Sequence, residues 1–233
     1  MSTGSEIISV GTPQGPGRFY VSRGEEQRAV LVLGHGAGGG VNAMDLDLLA
    51  RRLPELGVTV LRFEQPWRTA GRKVGAPPPK LDDAWLAAVG WLVDQPWTTS
   101  PLFVGGRSAG ARVACRTADA FEVAGIVCLA FPLHLPGQPA KSRAHELLAP
   151  RAPRLVLQGT NDSFGRPEEI RAAIGDIAGI SLVELPGADH SYRTAKAAPF
   201  TPADLRATLV SQVGAFVDRR IAESAGISPG SPR

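Results

Sequence analysis

The chain has 233 residues, of which 43% are hydrophobic and 20% charged, with a formal net charge of +3. This composition excludes wholesale disorder and a fibrous repeat, and suits one domain with a sizeable core. The basic residues are scattered singly or in pairs such as Arg51-Arg52 and Arg219-Arg220, unlike the clustered face of a nucleic-acid binder.

In chain order, SEIISV and RFYVS alternate enough to predict an antiparallel edge hairpin. AVLVLG (29–34) reads as a buried strand that breaks into the glycine run GHGAGGG (34–40). MDLDLLARRLPELG (44–57) predicts a helix with Leu46, Leu49 and Leu53 on one side and Gly57 as its C-cap. VTVLRF (58–63) is the next strand, and RTAGRKVGAPPPK (68–80) is too rich in Pro, Gly and charge to be core. LDDAWLAAVGWLVDQ (81–95) predicts a helix capped by Asp82 or Asp83, with Trp85, Leu86, Val89 and Leu92 as its packing stripe.

Further along, PLFVGG (101–106) leads with almost no loop into the helix SAGARVACRTADAF (108–121). AGIVCLAF (124–131) is a strand, followed by the loop segment PLHLPGQPAKSRAHELL (132–148). PRLVLQG (153–159) and SLVELPG (181–187) are strands that flank the Pro-initiated helix PEEIRAAIGDI (167–177), and residues 201–223 form the longest helix. Continuous apolar runs alternating with helices predict an α/β fold, a doubly wound and mostly parallel sheet with an antiparallel N-terminal edge. Residues 1–222 are expected to form one domain and 223–233 a flexible tail. Cys115 and Cys128 match no metal-ligand or CxxC spacing and are expected to be buried small hydrophobes.

No apolar run approaches the roughly 18 residues of a membrane span. MSTGSEIISV has neither the basic nor the apolar region of a secretory leader, so a cytoplasmic location is expected.

The glycine run poses a choice. Gly34, Gly36 and Gly39 fit GxGxxG, and Glu64 ends the next strand where a ribose-binding carboxylate would sit, which suggests a dinucleotide site. The same glycines can instead aim backbone N–H groups at a developing oxyanion.

Gly106-Arg107-Ser108-Ala109-Gly110 is GxSxG between a strand and a helix, the context that holds a serine on a strained turn. Serine needs a base and the base needs an orienting acid. Asp162 in TNDSFG and His190 in ADHSY follow later strands in the order Ser, acid, His, so all three converge on one sheet edge. Asp189 is the rival acid, but it adjoins His190 in sequence and is expected to stabilise its own loop. The hydrolytic reading uses the glycine loop as well as these residues, whereas the dinucleotide reading leaves GxSxG, Asp162 and His190 without a role. The oxyanion donors are then the N–H groups of Ala109 and of Ala37 or a neighbour, with His35 anchoring the loop. Arg107, with Arg68, Arg72 and Arg193, is a candidate for holding an anionic substrate, and His134 for lining the pocket.

HGAGG (35–39), RFEQPW (62–67), GGRSAGARVA (105–114), FPLHLPGQP (131–139), QGTNDSFG (158–165) and DHSYR (189–193) together resemble the successive blocks of the KANL3/Tex30 group of α/β-hydrolases, a neighbour of the dienelactone hydrolases. The resemblance spans roughly residues 29–195 and implies an α/β-hydrolase fold with Ser108, Asp162 and His190 as the triad. Ala109 and Ala111 stand where that group often has Met and Gly, and Glu64-Gln65 where it has an Asn-Phe type pair, which leaves substrate preference open. The resulting expectation is a serine hydrolase of small to medium carboxylic esters or thioesters, with no metal or organic cofactor and a minimal lid. Because that group includes a chromatin-complex subunit, the alternative is a non-catalytic interaction domain. The oligomeric state is not encoded.

Overall fold

The structure, a computed structural model, describes residues 6–195 and 200–226. Eight strands form one sheet in the order β1-β2-β4-β3-β5-β6-β7-β8. They are β1 (Glu6–Val10), β2 (Gly17–Ser22), β3 (Ala29–Gly34), β4 (Val58–Glu64), β5 (Leu102–Arg107), β6 (Gly125–Leu129), β7 (Arg154–Gly159) and β8 (Ile180–Leu185). β1 and β2 pair antiparallel, and β2 joins β4 antiparallel, while every pairing from β4 to β8 is parallel. The strands β3 to β7 are continuous apolar runs because helices cover both faces, leaving no solvated face that would impose alternation.

The helices are α1 (Met44–Arg52), α2 (Pro66–Thr69), α3 (Pro78–Val93), α4 (Ala109–Thr117), α5 (Ala144–Leu148), α6 (Pro167–Ile174) and α7 (Pro202–Ser224). α1 and α7 pack Leu46, Leu49, Leu209 and Val213 against one face of the sheet. α3, α4 and α6 pack Trp85, Val89, Val113 and Ile170 against the other. Cys115 and Cys128 are buried in this second layer with their sulfurs 3.5 Å apart.

Local signals explain most boundaries. α1 is followed by a 3-10 turn through Leu53–Leu56, and Gly57 ends it at φ 74, where a residue with a Cβ is strained. α6 and α7 both open on proline, and Thr201 caps α7 through a reciprocal bond with Asp204.

α3 departs from expectation. It starts at Pro78, four residues before the earlier candidate cap, because consecutive prolines suit a first turn whose N–H groups have no intrahelical acceptor. Asp82 therefore lies inside the helix and binds Arg116 of α4 at 2.6 and 2.8 Å. Within the expected stripe, Leu86 is only half-buried and Ala88 takes the core position. The 68–80 segment is shortened at both ends, since α2 occupies 66–69 and α3 begins at 78. Of the expected tail, residues 223–224 complete α7, and 227–233 lie outside the described residues.

Between β6 and β7 the chain forms only the short helix α5, so the fold has a minimal lid. Glu146 on α5 takes a two-point bond from Arg112 at 2.6 and 2.6 Å and another from Arg116 at 3.1 Å, which ties this segment to α4. Burial opposes the Glu146 charge, but the two guanidinium groups outweigh it and hold its carboxyl below the ordinary value. A depressed carboxyl adds stability that is present above its unfolded value and is lost as the pH falls through the folded one. Glu146→Gln is therefore expected to cost about 1–3 kcal/mol at neutral pH, and the gap from wild type to narrow as acid protonates the wild-type carboxyl. Thermal melts across the acid range check this.

Candidate active site

Ser108 stands alone between β5 and α4, and the crowding there explains the glycines around it. Its backbone is at φ 51 and ψ −112, a conformation that costs a non-glycine residue about 1–3 kcal/mol and needs strong surroundings to persist. Those surroundings are backbone. The Ser108 N–H donates to the Leu129 carbonyl at 2.9 Å. A Cβ on Gly106 would lie 2.5 Å from the Gly34 oxygen, and one on Gly110 would lie 2.3 Å from the same atom. Gly34, the first glycine of the run, thus serves the serine turn by letting α4 cross β3 at contact distance.

The three residues named from chain order meet above the carboxyl edge of the sheet. His190 Nε2 lies 2.9 Å from Ser108 Oγ. His190 Nδ1 lies 2.8 and 3.0 Å from the two Asp162 oxygens. Because a carboxylate only accepts, Nδ1 carries the proton and Nε2 presents its lone pair to the serine hydroxyl. Asp162 is fully buried; its Oδ1 also accepts from the Phe164 N–H at 2.8 Å and its Oδ2 from Gln158 Nε2 at 2.9 Å. Those donors leave the carboxylate one orientation, toward the imidazole. Asp189 turns instead to its own loop, where its Oδ1 accepts from the N–H groups of Ser191 and Arg193.

The glycine loop lies beside the serine: a Cβ on Gly36 would be 3.5 Å from the Ser108 Cβ. His35 anchors it, with Nδ1–H donating to the Gly36 carbonyl at 2.9 Å and Nε2 accepting from the Gln65 N–H at 3.1 Å. Burial lowers its pKa, and both ring nitrogens fit the neutral form. Ala37 and Ala109 line one small cavity with Trp67, Leu81 and Trp85, about 10 Å³ in volume, room for roughly one water. Ala109 opens α4, so its N–H belongs to the first turn, whose amides have no intrahelical acceptor. α1 begins only at Met44, beyond the glycine run, so the run does not open a helix as a dinucleotide fingerprint requires. Glu64 faces Tyr20 and Thr69 at 3.4 Å each.

Arg107 and His134 are engaged within the protein. Arg107 NH1 donates to Asp45 Oδ2 at 2.8 Å, and NH2 donates to the His190 carbonyl. His134 places Nδ1 at 2.9 Å from the Leu135 carbonyl and Nε2 at 3.0 Å from Glu169 of α6. Three contributors escaped sequence reasoning. Phe164 stacks on His190 with ring centroids 4.1 Å apart, Gln158 holds Asp162, and Tyr192 bonds the β6 and β7 ends through Ala130 and Leu157. Phe164 had a signal, an aromatic two residues after the acid in TNDSFG, whereas the Tyr192 bonds depend on a backbone φ of 57 that no pattern announces. Phe164→Ala frees one face of the imidazole and is expected to lower kcat about 3–10-fold with little change in melting temperature, in the range of one lost aromatic contact. Steady-state kinetics beside a thermal melt check it.

The sequence profile of the alpha/beta hydrolase domain matches residues 27–218. The chain belongs to the alpha/beta hydrolase family. Among solved structures similar to this alpha/beta hydrolase is a serine hydrolase without a lid from Xanthomonas campestris, with a TM-score of 0.69 and 25% identity over 100% of this chain and 99% of that one. A serine hydrolase homologue from Coxiella burnetii gives 0.70 at 23% identity, over 91% and 99%. A dienelactone hydrolase from Anabaena variabilis gives 0.70 at 18% identity, over 92% and 97%; at such identities the likeness is one of fold.

Proposed function

We propose that this alpha/beta hydrolase is a serine hydrolase that cleaves carboxylic esters or thioesters of small to medium acyl groups through an acyl-enzyme. The observation that carries the reading is the line of contacts from Ser108 Oγ to His190 Nε2 at 2.9 Å and from His190 Nδ1 to Asp162 at 2.8 Å. In this reading His190 takes the Ser108 proton as the oxygen attacks the carbonyl carbon, and Asp162 steadies the imidazolium that results. The carbonyl oxygen becomes an oxyanion bound by the amides of Ala109 and Ala37, each such donor being worth about 3–4 kcal/mol in comparable sites. His190 then gives its proton to the leaving alcohol or thiol, and water repeats the sequence on the acyl-enzyme to release the acid and restore Ser108. That β6 and β7 are linked through only the five-residue helix α5 supports small to medium acyl groups over long lipids. The blocks around Ser108, Asp162 and His190 support the narrower kinship with the KANL3/Tex30 group.

The test is labelling by a fluorophosphonate, with the adduct mapped by mass spectrometry, beside a panel of p-nitrophenyl and thioester substrates of increasing acyl length. One phosphonyl group on Ser108 and highest kcat/KM at two to four carbons are expected. No adduct and a flat panel would favour the non-catalytic interaction domain.

A further inference from the structure

We propose that Arg107 is a positioning residue: clasped by the buried Asp45, its guanidinium grips the backbone of His190 and so fixes the imidazole over Ser108. This rests on the hydrolytic reading above, and it assigns Arg107 a role different from contact with an anionic substrate.

The clasp joins a helix, a strand end and a loop. Asp45 sits in the first turn of α1, just past the glycine loop, and is fully buried. Arg107 ends β5, one residue before the serine, with its side chain 13% exposed. His190 follows β8. NH1 of Arg107 meets Asp45 at 2.8 Å, NH2 meets the His190 carbonyl, and Cζ lies 5.5 Å from the Tyr192 ring centre. Tyr192 is itself pinned, accepting from the Ala130 N–H at 2.8 Å and donating to the Leu157 carbonyl at 2.7 Å. His190 is therefore held by its backbone from one side and by Asp162 through its ring from the other.

Stability alone does not account for this pair. A buried ion pair contributes little unless every polar atom is satisfied, and Asp45 Oδ1 has no partner among the described residues. What the pair does supply is geometry. A guanidinium is a rigid planar fork that reaches two acceptors at once, whereas an ammonium is a point charge on a flexible stem. Burial works against the Arg107 charge, but Asp45 outweighs it and the pKa is raised, so the fork is charged throughout the working range. Placement of a base within about 1 Å governs rate on the order of 100-fold.

The experiment compares wild type with Arg107→Lys, Arg107→Gln and the pair Asp45→Asn/Arg107→Gln. Melting temperature, kcat and KM on neutral p-nitrophenyl acetate, and the imidazole N–H resonances of ¹⁵N-histidine-labelled protein are measured. Arg107→Lys is expected to fold, to lose about 10–100-fold in kcat and to keep KM within about twofold, in line with a displaced base. The double variant removes both buried charges, so it keeps the comparison valid if Arg107→Gln alone fails to fold; it is expected to regain melting temperature but not kcat. In wild type the His190 Nδ1 proton is expected as a slowly exchanging downfield resonance, and in both folded variants it broadens or vanishes. A rise in KM at constant kcat would overturn the proposal in favour of substrate binding, as would wild-type kinetics or an unchanged resonance in Arg107→Lys. If wild type turns over no ester and takes no fluorophosphonate, the hydrolytic reading fails, and the resonance still decides whether the clasp holds the imidazole.

Discussion

Ser108→Ala is expected to lower ester turnover by a factor of about 10⁶ while leaving the melting temperature almost unchanged. The rate falls because the hydroxyl 2.9 Å from His190 is the only nucleophile that the proposed acyl-enzyme route provides. The fold survives because alanine occupies the same strained backbone at φ 51 that serine does. His190→Ala should fall about as far, since a serine without its base is scarcely nucleophilic. The double variant should fall no further than either single one, because residues that act as a unit do not contribute additively. Asp162→Asn is expected to keep the geometry but lose about 10⁴ in kcat, since an amide nitrogen facing Nδ1 favours the wrong tautomer. Rates are read on p-nitrophenyl acetate. Losses that multiply in the Ser108 and His190 double variant would show that the two do not work together.

Gly110→Ala is expected to destabilise the protein by about 3 kcal/mol or more, lowering its melting temperature by roughly 10 °C. The new Cβ would lie 2.3 Å from the Gly34 oxygen and 2.4 Å from its carbonyl carbon, so the obstacle is backbone on a central strand, not a side chain that can rotate away. Relief requires α4 to move off β3, and Ser108 at the head of α4 moves with it, so activity should fall along with stability. Gly90→Ala is the control. Gly90 lies inside α3, where nothing comes within 4 Å of an added Cβ, and alanine there should stabilise by about 0.5–1 kcal/mol. Calorimetry on both variants reads the contrast directly.

The sequence made the sheet legible because buried parallel strands are continuous apolar runs, and AVLVLG through SLVELPG mark β3 to β8 within a residue or two. It also made the meeting of Ser108, Asp162 and His190 legible, since each follows a strand and all the strands point the same way. What stayed hidden has a common cause. The start of α3 at Pro78 was masked because proline signals both a loop and a first helical turn, and only packing against α4 through Asp82 decides between them. The partners of Arg107 and His134 were hidden for another reason. A charged residue beside a nucleophile looks the same in sequence whether its fork meets a ligand or an aspartate 62 positions away.

The single short helix between β6 and β7 bears on how catalysis would be timed. With one five-residue helix there, held to α4 by the Glu146–Arg112 bonds, encounter with substrate is expected to require no opening step. Turnover should then rise smoothly with dissolved ester, showing neither a lag after mixing nor the abrupt gain at the solubility limit that marks enzymes whose cover is displaced by an oil–water boundary.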